Sequence, residues 1–153
     1  MADATLSGYK AAAAAIAWTS GQSINSLTDN EYTDASDEID NSSNLYMFAD
    51  IYIDLGSAAF TGTDSVIECY LIPTVDGTNY PTWTGNGTAT EQQNDLFYAG
   101  SAYTTGTTAA QDMIIRSIPL PNGKYKWGFR NRSGVTLSAT NTIYWRPHQF
   151  TTA

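Results

Sequence analysis

Apolar and polar residues alternate along most of this chain with a period of two, which is the pattern of half-buried β-strands. The longest example covers residues 45–55, where every second side chain is apolar. The opposite face of this segment is aromatic but interrupted by carboxylates, and it consists of Tyr46, Phe48, Asp50, Tyr52 and Asp54. The pattern predicts a long strand that buries one face in the core.

Shorter segments of the same kind predict further strands, separated by turns rich in Gly, Asn and Pro. These strands are predicted at 66–72, 96–99, 111–118, 124–130, 135–139 and 142–146, the last one ending before a proline. Residues 11–15 are all alanine and favour a helix by propensity, but alanines provide no large face to bury. We therefore interpret residues 1–23 as an N-terminal arm or a first strand.

About eight short strands without alternating helices predict an all-β fold. We expect an antiparallel β-sandwich with jelly-roll-like connections, long loops and little or no helix. The 153 residues match one domain of ordinary size, so residues 24–153 are predicted to form a single sandwich domain. The order of the strands within the sheets is not determined by these patterns.

The net charge of the chain limits the kinds of molecule that it can bind. The chain has 15 acidic and 7 basic residues and a net charge of -8, which argues against nucleic acid or an anionic membrane, because such partners require positive surfaces. No apolar stretch approaches the ~18 residues of a membrane span.

Charge is distributed unevenly along the chain. Residues 1–115 hold all 15 acids and one base, whereas residues 116–153 hold six bases and no acid. These two parts can attract each other within the fold or across an assembly.

The predicted strand at 124–130 separates its aromatic residues from its basic ones. Tyr125, Trp127 and Phe129 face one way, and Lys124, Lys126 and Arg130 face the other. We predict that this basic stripe, which is Lys124, Lys126, Arg130 and Arg132, meets acidic surface on a neighbouring copy or on a partner protein.

Candidate catalytic groups are scarce. The chain has one histidine, His148, near the end of the sequence, and one cysteine, Cys69. We therefore expect neither a Ser-His-Asp triad nor a metal site with two His ligands or several Cys ligands. Cys69 shares a strand face with Ile67 and Leu71 and is interpreted as a small buried hydrophobe. We predict no enzymatic activity and no cofactor.

Residues 29–40 contain six acids within twelve positions. Calcium binds several carboxylate and carbonyl oxygens, so Asp37, Glu38 and Asp40 are weak calcium candidates. The segment lacks the ligand spacing of an EF-hand loop, and acidic loops are commonly solvated. We therefore favour a plain acidic loop and predict no bound metal.

Three aromatic residues, Tyr80, Trp83 and Tyr103, fall in the predicted loops. Aromatic side chains on a β-sandwich can stack on sugar rings, which would make the protein a carbohydrate-binding module. Tyr and Trp are equally common as anchors of protein interfaces. Both alternatives stay open on the sequence.

Four segments together resemble a known group of proteins. They are LTDNEY (27–32), SDEIDNS (36–42), VDGTNYP (75–81) and LPNGKYKWG (120–128). The set is similar to small jelly-roll or sandwich proteins that decorate, or cement, the capsids of tailed bacteriophages, and the resemblance extends over residues 26–145. It implies a binding role without catalytic residues, with the major capsid protein as partner and often a homotrimer.

We therefore expect a non-enzymatic virion structural protein, made in the host cytoplasm, that binds the outer surface of a phage head and stabilises contacts between capsomers. The alternative is a carbohydrate-binding sandwich of a tail fibre or surface adhesin, with a host-surface glycan as its ligand.

Overall fold

The computed structural model describes residues 4–60, 65–89 and 97–152. Within these ranges the chain forms nine strands and no helix, so no helix is long and apolar enough to cross a membrane there. The strands are β1 (Ala4–Tyr9), β2 (Ala14–Ala15), β3 (Ile39–Asp40), β4 (Phe48–Leu55), β5 (Val66–Pro73), β6 (Tyr98–Tyr103), β7 (Gln111–Pro119), β8 (Lys124–Arg132) and β9 (Thr142–Thr152).

The strands form two antiparallel sheets. Sheet A has the order β1-β9-β4-β7, and β2 also pairs with β9. Sheet B has the order β3-β8-β5-β6. The predicted all-β antiparallel sandwich is therefore confirmed.

The connections are those of a jelly roll. β1 and β2 pair with successive parts of β9 and together act as one first strand. The chain then changes sheet at every connection except the one from β5 to β6. This gives two interleaved four-stranded sheets, the arrangement of an eight-stranded jelly roll.

The N-terminal segment was predicted to be an arm or a first strand, and its described part contains two strands, β1 and β2, with loops at 10–13 and 16–23. β1 and β2 both add to the outer edge of β9. Residues 1–3 of that segment lie outside the described residues. The all-alanine stretch forms no helix because its backbone pairs with Tyr144 and Trp145 of β9 instead.

The core lies between the inner faces of the sheets and follows the predicted alternation. In β4 the residues Ala49, Ile51, Ile53 and Leu55 are buried, while the positions between them are half-buried. In β8 the buried side chains are Tyr125, Trp127 and Phe129. Cys69 is fully buried and belongs to the same core, so its interpretation as a small hydrophobe is confirmed.

The last predicted strand was too short. β9 continues through Pro147 to Thr152. The carbonyl of Pro147 accepts the backbone N–H of Lys10, and the N and O atoms of one strand residue point to the same neighbour. The nitrogen of Pro147 therefore faces the turn between β1 and β2. The proline thus removes no hydrogen bond between paired strands.

Two other predicted strands were wrong in position. Residues 135–139 form a loop, in which buried Leu137 donates its backbone N–H to Leu27 and thus binds another loop instead of a strand. In place of the strand predicted at 96–99, the chain forms β6 at Tyr98–Tyr103. Several residues of β6 have weak strand propensity, but their pairing with β5 outweighs this local preference. Residue 96 itself lies outside the described residues.

One segment extends sheet B at its edge and one loop covers its outer face. The segment before β3 runs beside β8, with backbone hydrogen bonds from Thr33 N to Phe129 O and from Ser36 N to Trp127 O, and such bonds lie in the plane of the sheet. The loop after β5 is fixed on this face by Trp83, whose Nε1 donates to the carbonyl of Thr33 at 2.9 Å. The Trp83 ring thus covers the outer face of sheet B where β8 and β5 lie side by side.

Gly128 of β8 permits this cover. A Cβ at Gly128 would lie 2.4 Å from the Trp83 ring. The ring cannot easily give way, because its Nε1 is hydrogen-bonded and it packs against Tyr32 and Tyr70 at centroid distances of 5.8 and 5.5 Å. Glycine is therefore required for the close approach of ring and strand.

We predict that Gly128→Ala lowers the free energy of unfolding by about 1–3 kcal/mol, because the added methyl overpacks this contact. Gly123→Ala is the matched control, since a Cβ there meets no atom within 4 Å, and it should change stability by less than ~0.5 kcal/mol. Urea unfolding of both variants measures the difference. Equal stabilities would show that Trp83 is not held against β8.

Candidate binding site on the outer face of sheet A

The outer face of sheet A carries the polar and aromatic side chains of β4, β7 and β9, and strand register arranges them in rows. The central row is Tyr144 on β9, Tyr52 on β4 and Ile114 on β7, which are direct cross-strand partners. The two tyrosine rings lie 6.0 Å apart at 41°. Together with exposed Ile114 they form an apolar floor.

The row on one side of this floor is acidic. Asp54 on β4 lies opposite Thr142 on β9 and Asp112 on β7. Asp112 accepts a hydrogen bond of 2.7 Å from the Tyr52 hydroxyl, and this bond raises the pKa of Tyr52 to about 12. Asp54 has no hydrogen-bond partner among the described residues, so two like charges face each other with one of them unpaired.

The row on the other side contains both charge signs and is organised by Asp50. Its strand partner on β9 is Arg146, and on β7 the register shifts at a bulge that contains Arg116 and Ser117. Ser117 has a positive φ of 54° and donates its backbone N–H to Asp50 at 2.8 Å. The Tyr9 hydroxyl donates to the other carboxylate oxygen at 2.8 Å.

These bonds keep Asp50 ionised. Burial alone would raise the pKa of Asp50, but the hydrogen bonds from Ser117 and Tyr9 and the nearby His148 and Arg116 lower it below its usual value. The same bond to Asp50 raises the pKa of Tyr9. One carboxylate therefore links β1, β4, β7 and β9.

His148 closes this end of the face. Its ring is buried and stacks on Phe48 at 5.6 Å and 23°, and it meets the Tyr9 ring edge-on. Its Nε2 lies 3.3 Å from Asp50. The lone histidine is thus a packed structural residue and not a surface one.

The rows enclose an open groove of about 480 Å³. Arg146 lies over the Tyr9 ring, 3.8 Å from its centroid, and forms one wall. The side chains that line the groove include Tyr9, Asp50, Tyr52, Asp54, Tyr144 and Arg146.

The basic stripe lies on the outer face of sheet B, as the alternation predicted. Lys124 forms an ion pair of 2.9 Å with Glu38, and this contact, with the Tyr80 hydroxyl, lowers the pKa of Glu38. Lys126 lies over the Tyr80 ring, 4.8 Å from its centroid.

The stripe's two arginines also have partners within the chain. Glu68 pairs with Arg132 at 3.0 Å and with Arg130 at 3.7 Å, and Arg130 also lies over the Tyr32 ring. The attraction between the acidic and basic parts of the sequence therefore acts inside this fold. The predicted contact with a neighbouring protein stays a prediction.

The three weak calcium candidates, Asp37, Glu38 and Asp40, each form a hydrogen bond or an ion pair with a different residue. Asp37 accepts hydrogen bonds from Thr19, and Asp40 accepts one from the backbone of Ser42; these bonds lower the pKa of both carboxyl groups. Glu38 is paired as described. Over the ranges 4–60, 65–89 and 97–152, no three His, Cys, Asp or Glu side chains are grouped to hold a metal ion.

Two of the three loop aromatics have structural roles. Trp83 covers sheet B, and Tyr80 donates to Glu38 at 2.8 Å; Tyr103 is exposed at the end of β6. Sequence patterns singled out these loops and missed the groove on sheet A. The available signal was the outer face of the first predicted strand, where Asp50, Tyr52 and Asp54 alternate with core residues.

Comparisons with known proteins add no family. No family model matches the chain, and neither the curated proteins nor the solved structures include a match. Function must therefore be inferred from the surfaces themselves.

We predict that Asp50→Asn lowers the free energy of unfolding at pH 7 by about 1–3 kcal/mol, because it weakens the hydrogen bonds that a half-buried carboxylate accepts. The lowered folded-state pKa means that Asp50 stabilises the protein above its ordinary pKa of ~3.9, and that this contribution is lost as pH falls further. The variant should therefore lose less stability than the wild type between about pH 5 and pH 2.

Urea unfolding across this pH range checks the prediction. Asp54→Asn on the same strand is the control, and its stability should be unchanged or slightly higher, since it removes a like-charge pair. Equal pH profiles for Asp50→Asn and wild type would contradict the role given to Asp50.

Proposed function

We propose that the protein is a non-enzymatic virion structural protein that binds the outer surface of a phage head and stabilises contacts between capsomers. The proposal rests on the resemblance found in the sequence and on one structural feature, a long open edge of the sandwich. The jelly roll is compatible with it, because this architecture is used in viral capsid proteins, although a fold by itself does not define a function.

The open edge is formed by β6 and β7. They are the last strands of their sheets and lie next to each other along one side of the sandwich. Among the described residues no further strand pairs with either of them. An unpaired edge presents backbone N–H and C=O groups that can bind another chain.

Exposed tyrosines accompany this edge. Tyr98 and Tyr103 of β6 are 52% and 72% exposed. Tyrosine combines a large apolar ring with a hydrogen-bonding hydroxyl and is enriched in protein interfaces. A free edge flanked by such side chains supports a contact with a second copy or with the major capsid protein. A closed homotrimer would repeat this contact by symmetry.

The edge supports this role better than the basic stripe does. Lys124 already pairs with Glu38, and Arg130 and Arg132 already pair with the buried Glu68. A new exposed ion pair to a partner would contribute only ~0–1 kcal/mol. A docking contact that used the stripe would have to replace these internal pairs.

Location and copy number in purified virions test the proposal. Cryo-electron microscopy or quantitative mass spectrometry should find on the order of hundreds of copies on the head, as symmetric decoration requires. A few copies at the tail would instead favour the adhesin alternative, and absence from virions would refute both.

The edge itself is tested by the double variant Tyr98→Lys and Tyr103→Lys. Charged edge side chains oppose strand pairing and are costly to bury in an interface, so occupancy on heads that lack the protein should fall at least several-fold. Binding of purified variants to such heads, measured by co-sedimentation, gives the result.

Val75→Lys is the matched control for the single variant Tyr103→Lys, because each adds one positive charge, and Val75 is 99% exposed in the loop after β5, away from the edge. Circular dichroism and melting temperature establish that each variant folds, and Tyr103→Lys alone serves if the double variant does not. Wild-type occupancy by the folded edge variant would exclude this edge as the docking surface.

A further inference from the structure

The two sheets differ in what covers their outer faces. On sheet B the loop that carries Trp83 lies over the outer face of β8. Within the described part of the chain, no comparable loop lies on the central rows of sheet A, where Tyr52, Tyr144 and Ile114 line an open groove of about 480 Å³. We propose that this groove is a binding site for a neutral saccharide.

The floor of the groove suits the apolar face of a sugar ring. Tyr52 and Tyr144 are half-buried neighbours whose rings lie 6.0 Å apart, and Ile114 extends the surface by one strand. The spacing of the row is set by the strands, so the rings are held in place before a ligand binds. Pre-formed apolar surfaces with a few directed polar groups are typical of small-molecule sites.

Hydrogen-bonding groups of both kinds flank this floor. Asp54 and Asp112 provide carboxylate acceptors on one side, and Asp54 has no partner among the described residues. On the other side Arg146, held over the Tyr9 ring, provides donors. Hydroxyl groups both donate and accept, so a polyhydroxylated ligand can use both walls at once.

The balance of charge favours a neutral ligand. Three carboxylates, those of Asp50, Asp54 and Asp112, and two guanidinium groups, those of Arg116 and Arg146, give a face with little net charge. A strongly anionic or cationic ligand would meet repelling charges on one wall.

The groove lies on the outer face of sheet A, whereas the exposed tyrosines of the open edge lie on β6 of sheet B. β7 contributes Ile114 to the groove and its unpaired backbone to the edge, and the saccharide site does not depend on the proposed docking to a head. It also differs from the loop aromatics that the sequence suggested, because Tyr80 and Trp83 are occupied with contacts inside the chain. A decorated particle could therefore hold a saccharide on a face that docking leaves free.

The test measures binding of a panel of neutral oligosaccharides to the purified protein. The probes are maltohexaose, cellohexaose, laminarihexaose and chitohexaose, followed by saturation-transfer NMR and isothermal titration calorimetry. We expect at least one probe to bind with a dissociation constant on the order of 0.1–1 mM, a range usual for a shallow site with few contacts.

Variants of the floor and of the acidic wall locate the binding. Tyr144→Ala should weaken it about tenfold, a change that corresponds to ~1.4 kcal/mol. Asp54→Asn, which removes no internal hydrogen bond among the described residues, should weaken it several-fold without changing the melting temperature. Tyr52→Phe keeps the ring and should bind within about threefold of the wild type.

Met47→Ala is the control, because Met47 is an exposed apolar residue just before β4 and outside the groove. It should bind like the wild type. Failure of all four probes to bind would overturn the proposal, as would unchanged binding by folded Tyr144→Ala and Asp54→Asn. A change in sedimentation that depends on Tyr144 would assign the face to a second copy instead.

Head occupancy distinguishes this result from the proposed function. Tyr144→Ala should occupy heads like the wild type while it loses saccharide binding. Loss of both together would overturn the assignment of two separate surfaces, and with it the saccharide site as proposed.

Discussion

The fold depends on burying both faces of β8. Its inner side places Tyr125, Trp127 and Phe129 in the core without exposure, and aromatic side chains of this size contribute most to the apolar area that a small domain buries. Its outer side accepts the Trp83 ring at Gly128. A strand enclosed on both faces fixes the position of sheet B and of the loop that covers it.

Covering sheet B determines where the chain can bind a ligand. The loop after β5 occupies that face through Trp83. The basic stripe is paired with Glu38, which comes just before β3, and with Glu68 of β5 itself. Sheet A keeps an accessible outer face, and its side chains are linked to each other through Asp50. The asymmetry between the sheets thus leaves one face and one edge for contacts with other molecules.

The two surfaces differ in physical character. The edge of β6 and β7 offers backbone hydrogen bonds and exposed tyrosines, which suit a protein chain. The groove on sheet A offers fixed rings between donors and acceptors, which suit a small polyhydroxylated ligand. β7 belongs to both surfaces, but it gives the side chain of Ile114 to the groove and its free backbone edge to the other surface. One molecule can therefore present both surfaces to different partners.

The sequence by itself determined the fold class, the inner faces of β4 and β8 and the burial of Cys69. Period-two alternation can be read from neighbouring residues alone, and it shows which face of a strand is apolar enough to be buried. The sequence patterns wrongly predicted a strand at 135–139 and ended the last strand before Pro147. A segment becomes a strand only where a neighbouring strand can form backbone hydrogen bonds with it, and the sequence does not show which segments are neighbours.

Only the tertiary structure decided the strand order and the role of each charge. Arg132 and Glu68 are 64 residues apart in the chain, and so nothing local indicates their pairing. The groove was invisible for the same reason: Tyr52, Tyr144 and Ile114 come from three strands, and strand register alone brings them into one row.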